Sequence, residues 1–96
     1  MSRIVRGLRV LIRAASARVS KKQIILKTLG ERIREARKKK GFTQEDLAHG
    51  SNIDRSYIGG VERGERNLSF DKLCQIAHAL HTDVAALTKD LPGWPR

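Results

Sequence analysis

Residues 43–64 constrain the fold of this chain most, because they carry start and stop signals for two short helices joined by a tight turn. Thr43 is an N-cap candidate, and Asp46 follows three residues on in a capping-box arrangement, in which each side chain satisfies a backbone N–H of the other. The first helix then runs from Gln44 to about Gly50 and buries Leu47 and Ala48. Asn52 stands in the turn, where its short polar side chain tolerates a left-handed backbone. Asp54 is placed to cap the second helix, which turns Ile58 and Val61 inward and stops at Gly64. Ala48 falls where the two helices cross, so a larger side chain there would force them apart. With Ile53, Ile58 and Val61 anchoring the second helix, its free face begins with Arg55, Ser56 and Tyr57.

The flanking sequence supplies the rest of a helical core. From Ile24, the residues Leu26, Leu29, Ile33, Ala36 and Arg37 fall along one stripe, and the spacing predicts a helix over about 28–40. Gly41 ends it after three consecutive lysines that suit a helix C-terminus. Ser69 is the expected cap of a helix whose buried face carries Phe70, Leu73, Ile76, Ala77 and Leu80. Asp83 starts a last short helix with Val84, Leu87 and Leu91 inward, and Pro92-Gly93 and Pro95 end regular structure. No strand-like alternation of useful length and no internal repeat is present. The expected fold is all-α, five short helices over residues 28–91, with a tail at 92–96. Residues 1–27 form an appended extension in which Ile4, Val5, Leu8, Leu11, Ile12 and Ala15 make one face of a basic amphipathic helix, followed by a linker over 16–22.

Charge points to a polyanionic partner, but not evenly along the chain. The formal net charge is +10 over 96 residues. Residues 1–27 contain eight Lys/Arg and no acid, whereas residues 28–96 contain twelve Lys/Arg against ten Asp/Glu. The basicity therefore belongs mostly to the extension and does not by itself assign a role to the two-helix unit. A single cysteine excludes an intrachain disulfide framework and suits a reducing compartment. Ile24-Ile25-Leu26 is far too short to span a membrane. A chain of this length buries a modest core, which makes oligomerisation a natural source of stability.

From about Leu29 to Leu91 the chain resembles the phage-repressor-like (Cro/repressor, XRE) helix-turn-helix family. Through Asp54-Arg55-Ser56-Tyr57-Ile58 and Glu62-Arg63 with Arg66-Asn67-Leu68 it is similar to the controller proteins of restriction–modification systems. The resemblance implies a homodimeric regulator of transcription on a pseudo-palindromic operator, with the second helix in the major groove of double-stranded DNA. Arg55, Ser56 and Tyr57 are the expected base contacts, since Arg binds guanine in bidentate fashion and Tyr offers a ring to thymine methyls. The alternative is that Tyr57 packs on the protein and Arg55 pairs with Asp54 or a phosphate. Thr43 and Gln44 at a positive helix end, with Arg63, Arg66 and Asn67 just past the second helix, are the expected phosphate contacts. Arg37 and Glu62 match positions that form a buried ion pair in that family. Two departures stand out: His81 replaces a common Gly, and Gly59-Gly60 lie inside the recognition helix. Gly60 stands where a long base-reading side chain is usual, so either the backbone reaches the bases there or fewer bases are read.

Other chemistries find less support. Cys74, His78 and His81 share one helix face, but one helix rarely presents three ligands to one metal ion, and a buried Cys beside partly exposed His is favoured. No Gly-rich phosphate loop, paired carboxylates or nucleophile–base constellation is present, so no enzyme, metal, cofactor or small-molecule substrate is expected. Competing readings are an antitoxin that also caps a toxin partner, and a sequence-blind binder of nucleic acid or membrane surfaces through residues 1–27. The extension itself reads as a DNA-following arm or a passive addition, ahead of a membrane-surface helix. The dimer contact is expected from the last helix and Leu91–Trp94, with Trp94 folding back on its own monomer as the alternative, and the protein is expected to be cytoplasmic, bacterial or phage-encoded.

Overall fold

The computed structural model describes residues 21–92, which form five helices and, among those residues, no strand. They are α1 (Lys21–Lys39), α2 (Gln44–Ser51), α3 (Arg55–Glu62), α4 (Phe70–Ala79) and α5 (Val84–Thr88). The amphipathic helix expected over 3–15 and the Trp94 part of the tail lie outside the described residues.

Helix α1 starts at Lys21, about seven residues before the expected start, and runs without a break through the boundary placed at residue 27. Lys, Gln, Ile and Leu between 21 and 29 are all compatible with helix, and no Pro or Gly interrupts them. The early turns overhang the core: Ile24 is 48% exposed, Ile25 and Leu26 are half-buried, and only from Leu29 does the stripe become buried.

Helix α2 begins as its sequence signals require. The Thr43 hydroxyl accepts from the Asp46 amide at 3.0 Å, and the Thr43 amide donates to the Asp46 carboxylate at 2.8 Å, completing the capping box. Asn52 closes α2 in the left-handed conformation (φ 58°), donating its amide back toward the last turn. Asp54 precedes α3 but its carboxylate makes no capping bond; it accepts the Ser56 hydroxyl instead. Ser69 caps α4 by accepting from the Lys72 amide at 3.2 Å, and Asp83 caps α5 by accepting from the Ala86 amide at 2.7 Å.

Packing joins α1 to α3 and α5, α2 to α3 and α4, and α4 to α5. Ile33, Leu47, Ile58, Ile76 and Leu80 are completely enclosed. Gly30 lets α1 lie directly on the end of α3: a Cβ there would stand 2.2 Å from the Val61 carbonyl oxygen. Arg32 of α1 donates to the carbonyls of Leu87 and Lys89, closing the C-terminal end of α5. Phe70 departs from expectation. It is 70% exposed, because as the first residue of α4 it projects past the edge of the core that Leu73 is the first to reach.

Candidate nucleic-acid interface

The outward face of α3 is set by how firmly its inward face is held. Ile58 and Val61 are buried in the core, and Glu62 at the last turn is 6% exposed. Its carboxylate accepts from Arg37 Nε at 2.7 Å, Arg37 Nη2 at 3.0 Å and Gln44 Nε2 at 3.1 Å. Arg37 Nη1 donates to the Phe42 carbonyl at 2.7 Å. One buried network thus ties α1, the loop before Thr43, the first turn of α2 and the end of α3. Two short helices that could otherwise rock against each other keep a fixed relative position.

On this frame the residues expected from the sequence fall into two groups. Thr43, Gln44 and Arg55 line one shallow cleft of about 370 Å³ between the N-terminal ends of α2 and α3. Arg55 is exposed and, among the described residues, has no hydrogen bond or ion pair, so its guanidinium is available to a ligand. Gln44 is half-buried, with its side-chain amide engaged by Glu62. The first turn of α2 also carries Glu45 and Asp46. Hydrogen bonds from the Thr43 amide and hydroxyl environment hold the Asp46 carboxyl below its ordinary range, so it is anionic at neutral pH. The positive N-terminal end of α2 is therefore partly offset by these two acids.

The second group surrounds Tyr57. Its hydroxyl donates to the Asn67 carbonyl, the Lys72 ammonium stands 4.1 Å from its ring centroid, and the Arg66 guanidinium stands 5.9 Å from it. These are cation–π distances. In the free chain Tyr57 is thus half-buried against the α3–α4 loop, while Arg55 is not paired with Asp54. Ser56 is exposed, but its hydroxyl is engaged by Asp54. Arg63 is paired at 3.0 Å with Glu65. Arg66 and Asn67 are exposed, and among the described residues no carboxylate pairs with Arg66.

Gly60 lies inside α3, as its sequence reading put it. It is buried, and the Arg66 side chain lies across it, so the surface at this point is Arg66 and not bare backbone. Lys72 joins this group with no signal in the sequence to mark it. It lies fifteen positions beyond Tyr57, and no local pattern links the two.

Cys74 is half-buried, and His49, His78 and His81 are exposed. Among the described residues no group of His, Cys, Asp and Glu is placed to hold a metal ion, and no helix is long and apolar enough to cross a membrane.

The family model described as "Helix-turn-helix" (HTH_3) matches residues 33–87. The control protein C.SmaI of Serratia marcescens is 43% identical over 63 residues, covering 66% of this chain and 75% of that protein. Among solved structures, the restriction–modification controller protein C.AhdI from Aeromonas hydrophila superposes with a TM-score of 0.64 at 48% identity, covering 65% of this chain and 94% of that one. The restriction–modification controller protein C.Esp1396I, solved as a tetramer in complex with its natural 35-base-pair operator, gives a TM-score of 0.64 at 40% identity, covering 70% of this chain and 88% of that one.

Proposed function

This chain belongs to the helix-turn-helix family, and on that premise we propose that it is a transcriptional regulator that binds double-stranded DNA sequence-specifically, as a homodimer on a pseudo-palindromic operator. The observation that carries the reading is Arg55: exposed and unpaired on the first turn of a helix whose other face is locked into the core. A recognition helix needs that combination, since a base-reading side chain discriminates only if its backbone cannot shift to accommodate the wrong base.

In this reading α3 enters the major groove with Arg55 against a base edge. Thr43 and the amide end of α2 approach one stretch of phosphates, and Arg66 and Asn67 approach the flanking stretch. Arg63 contributes less charge, because Glu65 already neutralises part of it. Tyr57 reaches a base only after leaving the Asn67 carbonyl, so in the free protein it serves as a support for the α3–α4 loop. The operator-bound tetramer of C.Esp1396I supports both the DNA partner and assembly from more than one chain. The relatives named above are control proteins, in keeping with a protein that binds rather than catalyses. Such a regulator would work in the cytoplasm and be governed by its own concentration through dimerisation.

The stoichiometry of the complex tests the dimer. A duplex with two half-sites centred about 10–10.5 bp apart, or a multiple of that, should carry two chains per two-fold site. A single chain per duplex at saturation would contradict it.

A further inference from the structure

We propose that Gly60 is a positioning residue: its missing side chain is the slot that holds Arg66 across the recognition helix, so that DNA meets a guanidinium already in place. This rests on the DNA-binding reading above and assigns to Gly60 a role in it without contact to DNA.

A glycine inside a helix is unfavourable relative to any residue except proline, so its presence at the centre of an eight-residue helix needs a physical reason. The backbone of α3 is ordinary there, and no positive φ requires glycine at position 60. Space is the reason. A Cβ on Gly60 would stand 2.6 Å from Arg66 Cγ, 3.3 Å from Nε and 3.5 Å from Cδ. The conflict is with the stem of the side chain and not its tip, so Arg66 could not evade it by a small rotation. Gly59, its neighbour, is different. There the nearest atom to a Cβ would be the Nη1 tip of Arg63 at 3.1 Å, a flexible end that can move, with Gln44 Oε1 and Arg63 Cζ at ordinary contact distances of 3.7 and 3.9 Å.

The remaining contacts of Arg66 hold the same pose. Its guanidinium faces the Tyr57 ring, one helical turn before Gly60, and the Tyr57 hydroxyl holds the carbonyl of Asn67, the next residue in the chain. No carboxylate among the described residues draws the charge away. Long arginine side chains ordinarily lose conformational freedom on binding, and a side chain ordered beforehand avoids that loss. With Arg66 laid in the Gly60 slot, part of the interface is set before DNA arrives.

A double-mutant cycle on the full chain tests this, with Gly60→Ala, Arg66→Ala and the pair, and Gly59→Ala as the control. The probes are the duplex enriched from random DNA by the wild-type chain and an unselected duplex of equal length. The free protein is also read by the NMR shift of the Arg66 Nε–H, which the Tyr57 ring current displaces. Gly60→Ala should weaken binding about tenfold, move the Arg66 signal toward that of an unconstrained arginine, and have no further effect once Arg66 is Ala. Gly59→Ala should leave the Arg66 signal near wild type. If Gly60→Ala fails to fold, recovery of folding in the pair supports the slot, and no recovery overturns it. Equal losses from Gly60→Ala with and without Arg66, or an unmoved Arg66 signal, also overturn it. A wild-type chain that binds neither duplex would instead overturn the DNA-binding reading, while the NMR comparison would still decide the slot.

Discussion

Arg37 and Glu62 meet at two points, Nε to Oε2 at 2.7 Å and Nη2 to Oε1 at 3.0 Å, with the two residues 9% and 6% exposed. The pair crosses from α1 to α3, and its remaining valences go to Gln44 and the Phe42 carbonyl, so no buried side-chain polar atom among the described residues is left unsatisfied. Buried ion pairs add little net stability over a well-packed apolar pair, because desolvation offsets the attraction. Here the pair fixes geometry: it joins the end of α3 to α1, and through Gln44 the same carboxylate ties in the first turn of α2.

Breaking that joint on one side should be costly. Arg37→Ala leaves Glu62 buried without its main partner and should destabilise the fold by about 3–5 kcal/mol. Replacing both residues, as in Arg37→Met with Glu62→Leu, should recover much of that loss while weakening DNA binding, since the α2–α3 geometry is no longer tied. Chemical denaturation and duplex binding measured on the same samples separate the two effects.

The capping box at the start of α2 gives a smaller and pH-dependent contribution. Thr43→Ala should cost about 1 kcal/mol in chemical denaturation. Asp46 is held below its ordinary pKa, chiefly by its hydrogen bonds with Thr43. A depressed carboxyl contributes stability that is present above its unfolded pKa and is lost as pH falls through the folded one. The stability gap between wild type and Asp46→Ala should therefore be full at pH 7, begin to close near the ordinary carboxylate range, and shrink further below it. A gap that stays constant from pH 7 to pH 2 would show that the carboxylate does not cap α2.

Phe70 and Leu80 provide a comparison on one stretch of chain. Leu80 is 1% exposed, and Leu80→Ala should cost about 2–5 kcal/mol. Phe70 is 70% exposed, and Phe70→Ala should change protomer stability by no more than about 0.5 kcal/mol at protein concentrations too low for association. A loss of several kcal/mol under those conditions would mean that Phe70 is packed.

These cases show what a sequence can carry. Helix starts at Thr43, Ser69 and Asp83 were legible because a cap is decided by residues three positions apart. The apolar stripe of α4 was legible by periodicity from Leu73 onward, but periodicity does not say where a helix overhangs its core, and so Phe70 was misplaced. Asp54 had the right residue type to cap α3, yet the Ser56 hydroxyl takes its carboxylate. At the candidate interface, Arg55 could be read from its place at a helix start. The Gly60–Arg66 slot, the Tyr57–Asn67 bond and the Lys72 stack depend on how the α3–α4 loop folds back, which no local pattern encodes. Pairing of Arg37 with Glu62, 25 residues apart, came from the family resemblance and not from spacing.

The two arginines beyond the joint should behave differently in DNA binding. Arg55→Ala should cost about 1–3 kcal/mol on the preferred duplex and relax preference at one base pair. Arg66→Ala should weaken binding to all sequences alike and lower the slope of log affinity against log salt by about 1. Salt titrations of both variants on preferred and unrelated duplexes check this. Equal losses on both duplexes for Arg55→Ala would place Arg55 on the backbone.

Selection from a pool of random duplex DNA, run in parallel on the wild-type chain, on Arg55→Ala and on a chain lacking residues 1–20, which leaves α1 whole, tests the central claim most directly. Sequence-specific recognition by α3 requires the wild-type and shortened chains to enrich the same inverted repeat, and Arg55→Ala to lose preference at a symmetric pair of positions within it. Salt-sensitive binding with no enriched sequence, unchanged by Arg55→Ala and abolished by the truncation, would contradict it and make the basic extension the binding element.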